Sequence, residues 1–400
     1  MMALTIANQL VAMGDEVSFL AHESLSMLLR DSKFKLESVS RQAAPLMGLY
    51  FRHVVAESHP DSMVLGDYFS NANFLHDAGA KPALLLANDI PTFTLDIWDS
   101  RQTGFAIDLF IDGSRQLGPG SIRERSEEFG AIPYKLKPVP IIAPGASSEE
   151  FCNLPTAWNF SPENRECWRN GLGLKKTSRV VLLCTAGWQH ATYESDAANR
   201  IITLLPALVG DYLSRLGEDV HLVHVGPHAY DLEESLGPRY HWMTALPPAQ
   251  FDSLLASMDL LLSANISATT ITKAMVYAVP VLVLQNSVSA ANREQAEALL
   301  PQPPSEKMRR WLDKVVPLFP FALWPLGYHR FLAPLLRDNP YVAALQMVEL
   351  LRECEVEAAL ASLLFDPVAR EDQAHRQALY LARVRSLPSG AQLIKNSLGG

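Results

Sequence analysis

Around residues 260–285 the chain places small hydroxyl and amide side chains where an apolar strand gives way to a helix, a position at which backbone can close on an anion. Residues 260–262 form the strand-like run. Residues 263–270 supply Asn265, Ser267, Thr269 and Thr270, and a helix opens near Ser267 or Thr269. The first amides of a helix lack intrahelical acceptors and its dipole adds partial positive charge, so phosphate is the natural guest. Lys273 reads as a first-turn cation, which the dipole disfavours by a few tenths to about 1 kcal/mol. A phosphate or carboxylate nearby would rationalise it, and a solvated Lys on the outer helix face is the alternative.

Three further places carry candidate chemistry. The strand at 180–184 runs into Thr185, Ala186 and Gly187, with His190 and Thr192 just beyond; a lone loop histidine is more often a surface residue than a catalyst. In the first half, an apolar run within 60–69 ends in Asp67 and Tyr68. The segment 81–89, KPALLLAND, reads as a buried strand with Asn88 and Asp89 at its mouth. A carboxylate at a strand end can act as base toward an acceptor hydroxyl or amine, although capping the next helix is as common a use.

The elements that position these groups alternate between strand and helix. Residues 247–257 have helical apolar spacing, and 279–284, led by Pro280, reads as the next strand. Upstream, a short helix with Ser161 as cap and Pro162 behind it leads to the strand 180–184. The helix 196–216 and strand 220–225, ending in Gly226, complete a βαβ unit with a right-handed crossover. The front of the chain reads as a helix at 4–13 closed by Gly14 and a strand at 17–21. The strand that should open this unit is not there, so the expectation is a natural chain that starts upstream or a truncated one.

In order and spacing, the segment 240–285 resembles the C-terminal lobe of the GT-B glycosyltransferases, the two-lobed enzymes that use nucleotide-sugar donors and include the UDP-glycosyltransferases and MurG-type enzymes. Counting back from Pro280, that family's His, small residue, Gly, two small residues, Thr, two apolar residues, Glu, Ala and Gly-x-Pro fall on Asn265 through Ala274 and then Ala278 to Pro280. Thr270, Ala274 and Pro280 match. Asn265 replaces the His, Ser267 the first Gly, Lys273 the acid that usually holds the donor ribose, and Ala278 the second Gly. Where the family carries Asp-Gln or Glu-Gln for the sugar hydroxyls this chain has Ser289 and Ala290, with Asn292, Glu294 and Gln295 a little further on.

The resemblance implies an α/β, GT-B-like architecture of two Rossmann-type lobes facing a cleft, the first lacking its opening strand. It implies an acceptor lobe over 1–145, a hinge near 143–162, a nucleotide-sugar lobe over 160–300, and a Pro/aromatic segment with terminal helices over 301–400 packing back on the first lobe. It further implies transfer of a sugar, as by a hexosyltransferase, to a small-molecule or natural-product acceptor. Thr185, Gly187, His190, Asn265, Ser267, Thr269, Thr270 and Lys273 would hold the donor, with Asp67 and Asp89 as acids of the acceptor lobe. His22 is a poor substitute for the catalytic His that this family often places after its first strand. The altered positions leave a second reading open, a GT-B-like accessory protein that binds a biosynthetic intermediate or a partner enzyme. The epimerases of the same fold need a turn of paired glycines and paired acids, which this sequence lacks.

Length and composition agree. Four hundred residues with 48% hydrophobic side chains suffice for two domains and an appendage. With a net charge of −9 and no basic cluster, neither nucleic acid nor an anionic membrane surface is an expected partner. No apolar run reaches membrane-spanning length. The four cysteines are dispersed, which suits a reducing cytoplasm and argues against structural zinc, and the histidines are scattered; no metal and no cofactor beyond the donor is expected. The aromatic stretch 319–331 reads as core or as an acceptor platform, and 341–385 reads as helical.

Overall fold

The computed structural model describes residues 2–22, 29, 33–39, 46–68, 71–72, 75, 82–86, 89–97, 127–138, 151–153, 163–187, 189, 196–325 and 327–399. The chain divides into two units: Met1–Phe105, Gly118–Pro155 and Arg383–Gly400 in the first, and Ala106–Leu117 with Thr156–Ala382 in the second.

The first unit opens with helix α1 (Met2–Ala12), which buries Ile6 and Ala7. Gly14 closes it at φ 92°, a backbone region that favours glycine. Strands β1 (Ser18–His22) and β2 (Lys35–Val39) form a parallel pair. Helix α2 (Met47–Ser58) follows. Strands β3 (Met63–Leu65), β4 (Thr92–Leu95), β5 (Tyr134–Pro138) and β6 (Phe151–Cys152) make a separate four-stranded parallel sheet in that order. Residues 82–86, expected within a strand, are a 3-10 turn, and the strand lies instead in β4, a few residues on.

The second unit is a six-stranded parallel sheet. Its elements in chain order are α3 (Glu163–Gly171), β7 (Arg179–Cys184), α4 (Asp196–Ser214), β8 (Val220–Val225), β9 (Tyr240–Met243), α5 (Pro248–Ala256), β10 (Leu260–Ser263), α6 (Thr269–Val276) and β11 (Val281–Gln285). Then come α7 (Arg293–Ala298), α8 (Glu306–Val315), α9 (His329–Leu336), α10 (Pro340–Ala343), β12 (Gln346–Glu349), α11 (Glu353–Phe365) and α12 (Pro367–Arg385). The strand order is β12-β11-β10-β7-β8-β9. Helices cover both faces of such a sheet, which is why β7, β10 and β11 are nearly unbroken Val/Leu runs, fully buried along most of their length. Helix α4 buries Leu205, Leu208, Val209 and Tyr212, and α8 buries Met308, Trp311, Leu312 and Val315, each at the spacing of one helical face. These side chains share one core with Phe319, Phe321 and Trp324, so the aromatic stretch is core of this unit.

The expected helix over 341–385 is interrupted by β12, and the helix itself begins only at Glu353. The last helix, α13 (Gly390–Ser397), belongs to the first unit. It starts with a reciprocal cap between Ser389 and Gln392 and packs on α1 and β5.

Candidate functional site at the carboxyl end of the second sheet

Strand order places a crevice between β7 and β10. The chain enters the sheet at β7, builds outward through β8 and β9, then returns to the other side of β7 with β10. Ligands of open α/β sheets bind where the strand order reverses, outside the carboxyl ends of the strands. Here that point is framed by Thr185–Gly187 after β7 and by 264–270 after β10. The order of the strands thus brings together two of the segments singled out by residue type.

On the β10 side, Asn265 builds the turn. Its Oδ1 accepts from the Ser267 amide at 2.9 Å and from Ser267 Oγ at 2.8 Å. Helix α6 then begins at Thr269 behind Ala268, which has no side chain to cap it. The amides of Thr269 and Thr270 donate to no acceptor outside the helix among the described residues, so two N–H groups stand at its positive end. Asn265 and Ser267 therefore shape the turn with their side chains, while Thr269 and Thr270 supply the donors.

On the β7 side, the Ala186 amide donates to Gln189 Oε1 at 2.6 Å, and Gln189 Nε2 donates to the Trp324 carbonyl at 2.9 Å. Trp324 N in turn donates to the Ala264 carbonyl at 2.9 Å. Gln189 and the backbone of Trp324 therefore stitch the two turns together. Gly187 is exposed. His190 and Thr192 lie outside the described residues.

Thr185 belongs to a partly buried polar chain. Its Oγ1 lies 2.8 Å from His224 Nε2, His224 Nδ1 lies 3.0 Å from Tyr240 Oη, and the Tyr230 amide donates to Tyr240 Oη at 3.0 Å. The His224 ring is fully buried and stacks on Tyr230, with ring centroids 4.6 Å apart. Burial pushes the Tyr230 phenol up to about 12, partly opposed by a hydrogen bond from Thr185. Gly226 makes room for the arrangement: a Cβ there would lie 2.2 Å from Thr185 Oγ1 and 2.5 Å from His224 Nε2.

Lys273 corrects the expectation built on it. Helix α6 runs only from Thr269 to Val276, so Lys273 lies in its last turn, where the dipole favours a cation. Its Nζ reaches Asp252 Oδ1 of α5 at 2.5 Å, beneath the face of the Phe251 ring. The anion that rationalises this lysine is a protein carboxylate. Burial holds Lys273 below the usual ammonium range and Asp252 above the usual carboxylate range, each against the pull of its partner.

The loop after β11 is also committed. Asn286 and Phe321 exchange both backbone hydrogen bonds, as do Ala290 and Leu318, so residues 318–324 run as a strap along the strand ends. Asn292 caps α7 by accepting from the Gln295 amide at 3.0 Å, while Gln295 Oε1 accepts from the Ala291 amide at 2.9 Å. These polar residues, weighed as sugar contacts, close a helix end.

In the first unit, Asp67 is exposed just past the carboxyl end of β3. Its neighbour Tyr68 is buried and donates to Glu128 at 2.5 Å. Asp89 is exposed too, but it precedes Pro91, whose carbonyl meets the amide that opens β3. It therefore sits at the amino end of this sheet, the opposite end from Asp67. The acid that does stand at the carboxyl end of the neighbouring strand is Asp96, 2% exposed directly after β4. The sequence signal for it is TFTL-D, an alternation of β-favouring residues stopped by an acid. Among the described residues no three His, Cys, Asp or Glu side chains converge as metal ligands, and no helix is long and apolar enough to cross a membrane.

The fold and the position of the crevice define the class: a GT-B architecture. It is shared over the whole chain with WaaG, a glycosyltransferase involved in lipopolysaccharide biosynthesis (TM-score 0.54, 13% identity, covering 100% of this chain and 95% of that one). HepE of Anabaena, solved with UDP-glucose, is similar at a TM-score of 0.55 and 14% identity, covering 100% and 94%. A Listeria monocytogenes protein assigned as a UDP-N-acetylglucosamine 2-epimerase is similar at a TM-score of 0.52 and 12% identity, covering 96% and 94%. No curated protein matches the chain in sequence. The chain belongs to DUF6365, described as a family of unknown function, which matches residues 6–399.

Proposed function

We propose that this protein is a glycosyltransferase that binds a nucleoside-diphosphate sugar at the carboxyl end of the second unit's sheet and passes the sugar to a small-molecule acceptor, in the cytoplasm and within natural-product biosynthesis. One observation carries the reading: the β7/β10 switch point is lined by Thr185, Gly187 and an uncapped helix start whose Thr269 and Thr270 amides meet no acceptor outside the helix among the described residues. That is the arrangement a diphosphate needs.

In the reaction, an acceptor oxygen attacks the anomeric carbon while its proton passes to a carboxylate. The bond from that carbon to the diphosphate breaks, and the nucleoside diphosphate leaves with the electron pair. The amide donors of α6 take up the charge that develops on the leaving oxygen. Lys273 is left out of this step because its charge is matched by Asp252. Asp67 is the base we propose, since it follows the carboxyl end of a strand. The amino-end position of Asp89 supports a structural role for that residue.

A second reading has its own support. The Lys273–Asp252 pair and the commitment of Asn292 and Gln295 to backbone amides at the start of α7 remove groups that a donor's ribose and sugar would use, which favours a degenerate binder serving a partner enzyme. Calorimetry with UDP-, GDP- and dTDP-sugars, followed by product analysis with an acceptor panel, separates the two. Donor binding with turnover supports the transferase. Binding without turnover supports the accessory role, and the absence of any nucleotide binding removes the first reading.

A further inference from the structure

The hydrogen-bonded chain behind Thr185 has a direction, set by its one unambiguous donor. The Tyr230 amide can only donate, so Tyr240 Oη accepts from it at 3.0 Å. The phenol's own hydrogen is then free to go to His224 Nδ1, 3.0 Å away, the other partner of this oxygen among the described residues. A neutral imidazole whose Nδ1 accepts carries its proton on Nε2, and Nε2 faces Thr185 Oγ1 at 2.8 Å. The Thr185 oxygen is then an acceptor toward the protein interior, and its hydroxyl hydrogen is the part available to turn outward. In the opposite tautomer Thr185 would spend that hydrogen on Nε2 and present only lone pairs, which repel a phosphate oxygen. One buried ring therefore sets the polarity of the hydroxyl at the mouth of β7.

We propose that His224, oriented by Tyr240 as a neutral Nε2–H imidazole, is a positioning residue that makes Thr185 a hydrogen-bond donor toward the diphosphate of a nucleotide ligand. This rests on the donor-site reading given above. In the free protein the Thr185 hydroxyl meets the Tyr230 phenol, and ligand binding redirects it to a phosphate oxygen. Gly226 belongs to the same device, because any side chain there would collide with both Thr185 Oγ1 and His224 Nε2.

The test uses the full chain labelled with [15N]histidine, with UDP, GDP and dTDP as probes. Long-range proton–nitrogen spectra of the free protein should show His224 as the neutral Nε2–H tautomer, assigned by its loss in His224→Gln. A protonated ring or the Nδ1–H tautomer overturns the inference. A hydrogen bond to a charged group is worth enough that His224→Leu should weaken nucleoside-diphosphate binding about tenfold or more. His224→Gln keeps an N–H donor and should stay within about threefold of wild type on the same scale. If His224→Leu does not fold, Tyr240→Phe gives the same reading. It removes the hydrogen that selects the tautomer, and should mix the two tautomers while weakening binding. Wild-type binding with His224→Leu, or Tyr240→Phe in its place, equal to wild type defeats this inference alone. No binding to wild type defeats the donor-site reading, and this inference with it.

Discussion

Lys273 of α6 and Asp252 of α5 neutralise one another at 2.5 Å, with each side chain only 9% exposed. The pair occupies the position where the resemblance had placed the acid that grips a donor's ribose, and it ties two helices of the sheet's cover. Removing one partner of a buried pair strands the other. Lys273→Met should therefore cost about 3–5 kcal/mol in urea unfolding, most of it recovered in Lys273→Met/Asp252→Leu. Full stability in the single variant would show that the pair carries no structural load.

Ala278 ends α6 at φ 52°, with its amide on the Met275 carbonyl and the Val279 amide on the Ala274 carbonyl. This is the two-bond helix stop that ordinarily employs glycine. Ala278→Gly should relieve the left-handed strain and raise stability by about 0.5–1 kcal/mol, read as a shift in the urea midpoint at unchanged slope.

His221 and His241 stack on adjacent strands with a ring nitrogen contact of 3.2 Å. Burial lowers the pKa of both from 6.5, and for His221 the neighbouring His241 and Arg239 lower it further. Above pH 6.5 both rings are neutral whether the chain is folded or not. As the pH falls, the unfolded chain takes up protons that the folded chain refuses. The stability these rings contribute is thus present above 6.5 and lost as the pH drops through the lower folded values. The urea midpoint should fall between about pH 7.5 and about pH 5.5, and His241→Asn should flatten that fall.

Asp67 and Asp89 lie at opposite ends of the first unit's sheet, so the two should separate cleanly in kinetics. Asp67→Asn should lower turnover by about 100-fold or more with little change in donor affinity. Asp89→Asn should leave turnover within about twofold. The reverse ranking would reassign the base.

Much of the second unit could be read from residue types, because a sheet covered on both faces writes its strands as apolar runs between helices. The strand at 220–225 appears in the structure with those same bounds. The strands that escaped notice are β9, YHWM, and β12, QMVE, which lie at the two sheet edges and are only partly buried, so polar residues blur their pattern. In the first unit PALLL is too short for its apolar content to distinguish a strand from a tight helical turn, and β4, at four residues, is too short for its alternation to stand out. Lys273 was misplaced for a local reason. Helix α6 opens at Thr269 but already ends at Val276, so the lysine falls in its last turn rather than its first. The His224 chain joins two strands, β8 and β9, with the segments that follow β7 and β8, a proximity that no spacing along the chain encodes.

The central claim is that the amides at the start of α6 receive a diphosphate. Thr269 is the first residue of that helix and follows Ala268 at φ −62° and ψ 127°, a conformation that tolerates proline next in sequence. Thr269→Pro therefore deletes one N–H while keeping the helix, and calorimetry with UDP-, GDP- and dTDP-sugars reads the consequence directly. Wild type should bind at least one of them, and Thr269→Pro, with an unchanged unfolding midpoint, should bind it about tenfold more weakly. Equal affinity in the folded variant, or no nucleotide binding by wild type, would contradict it.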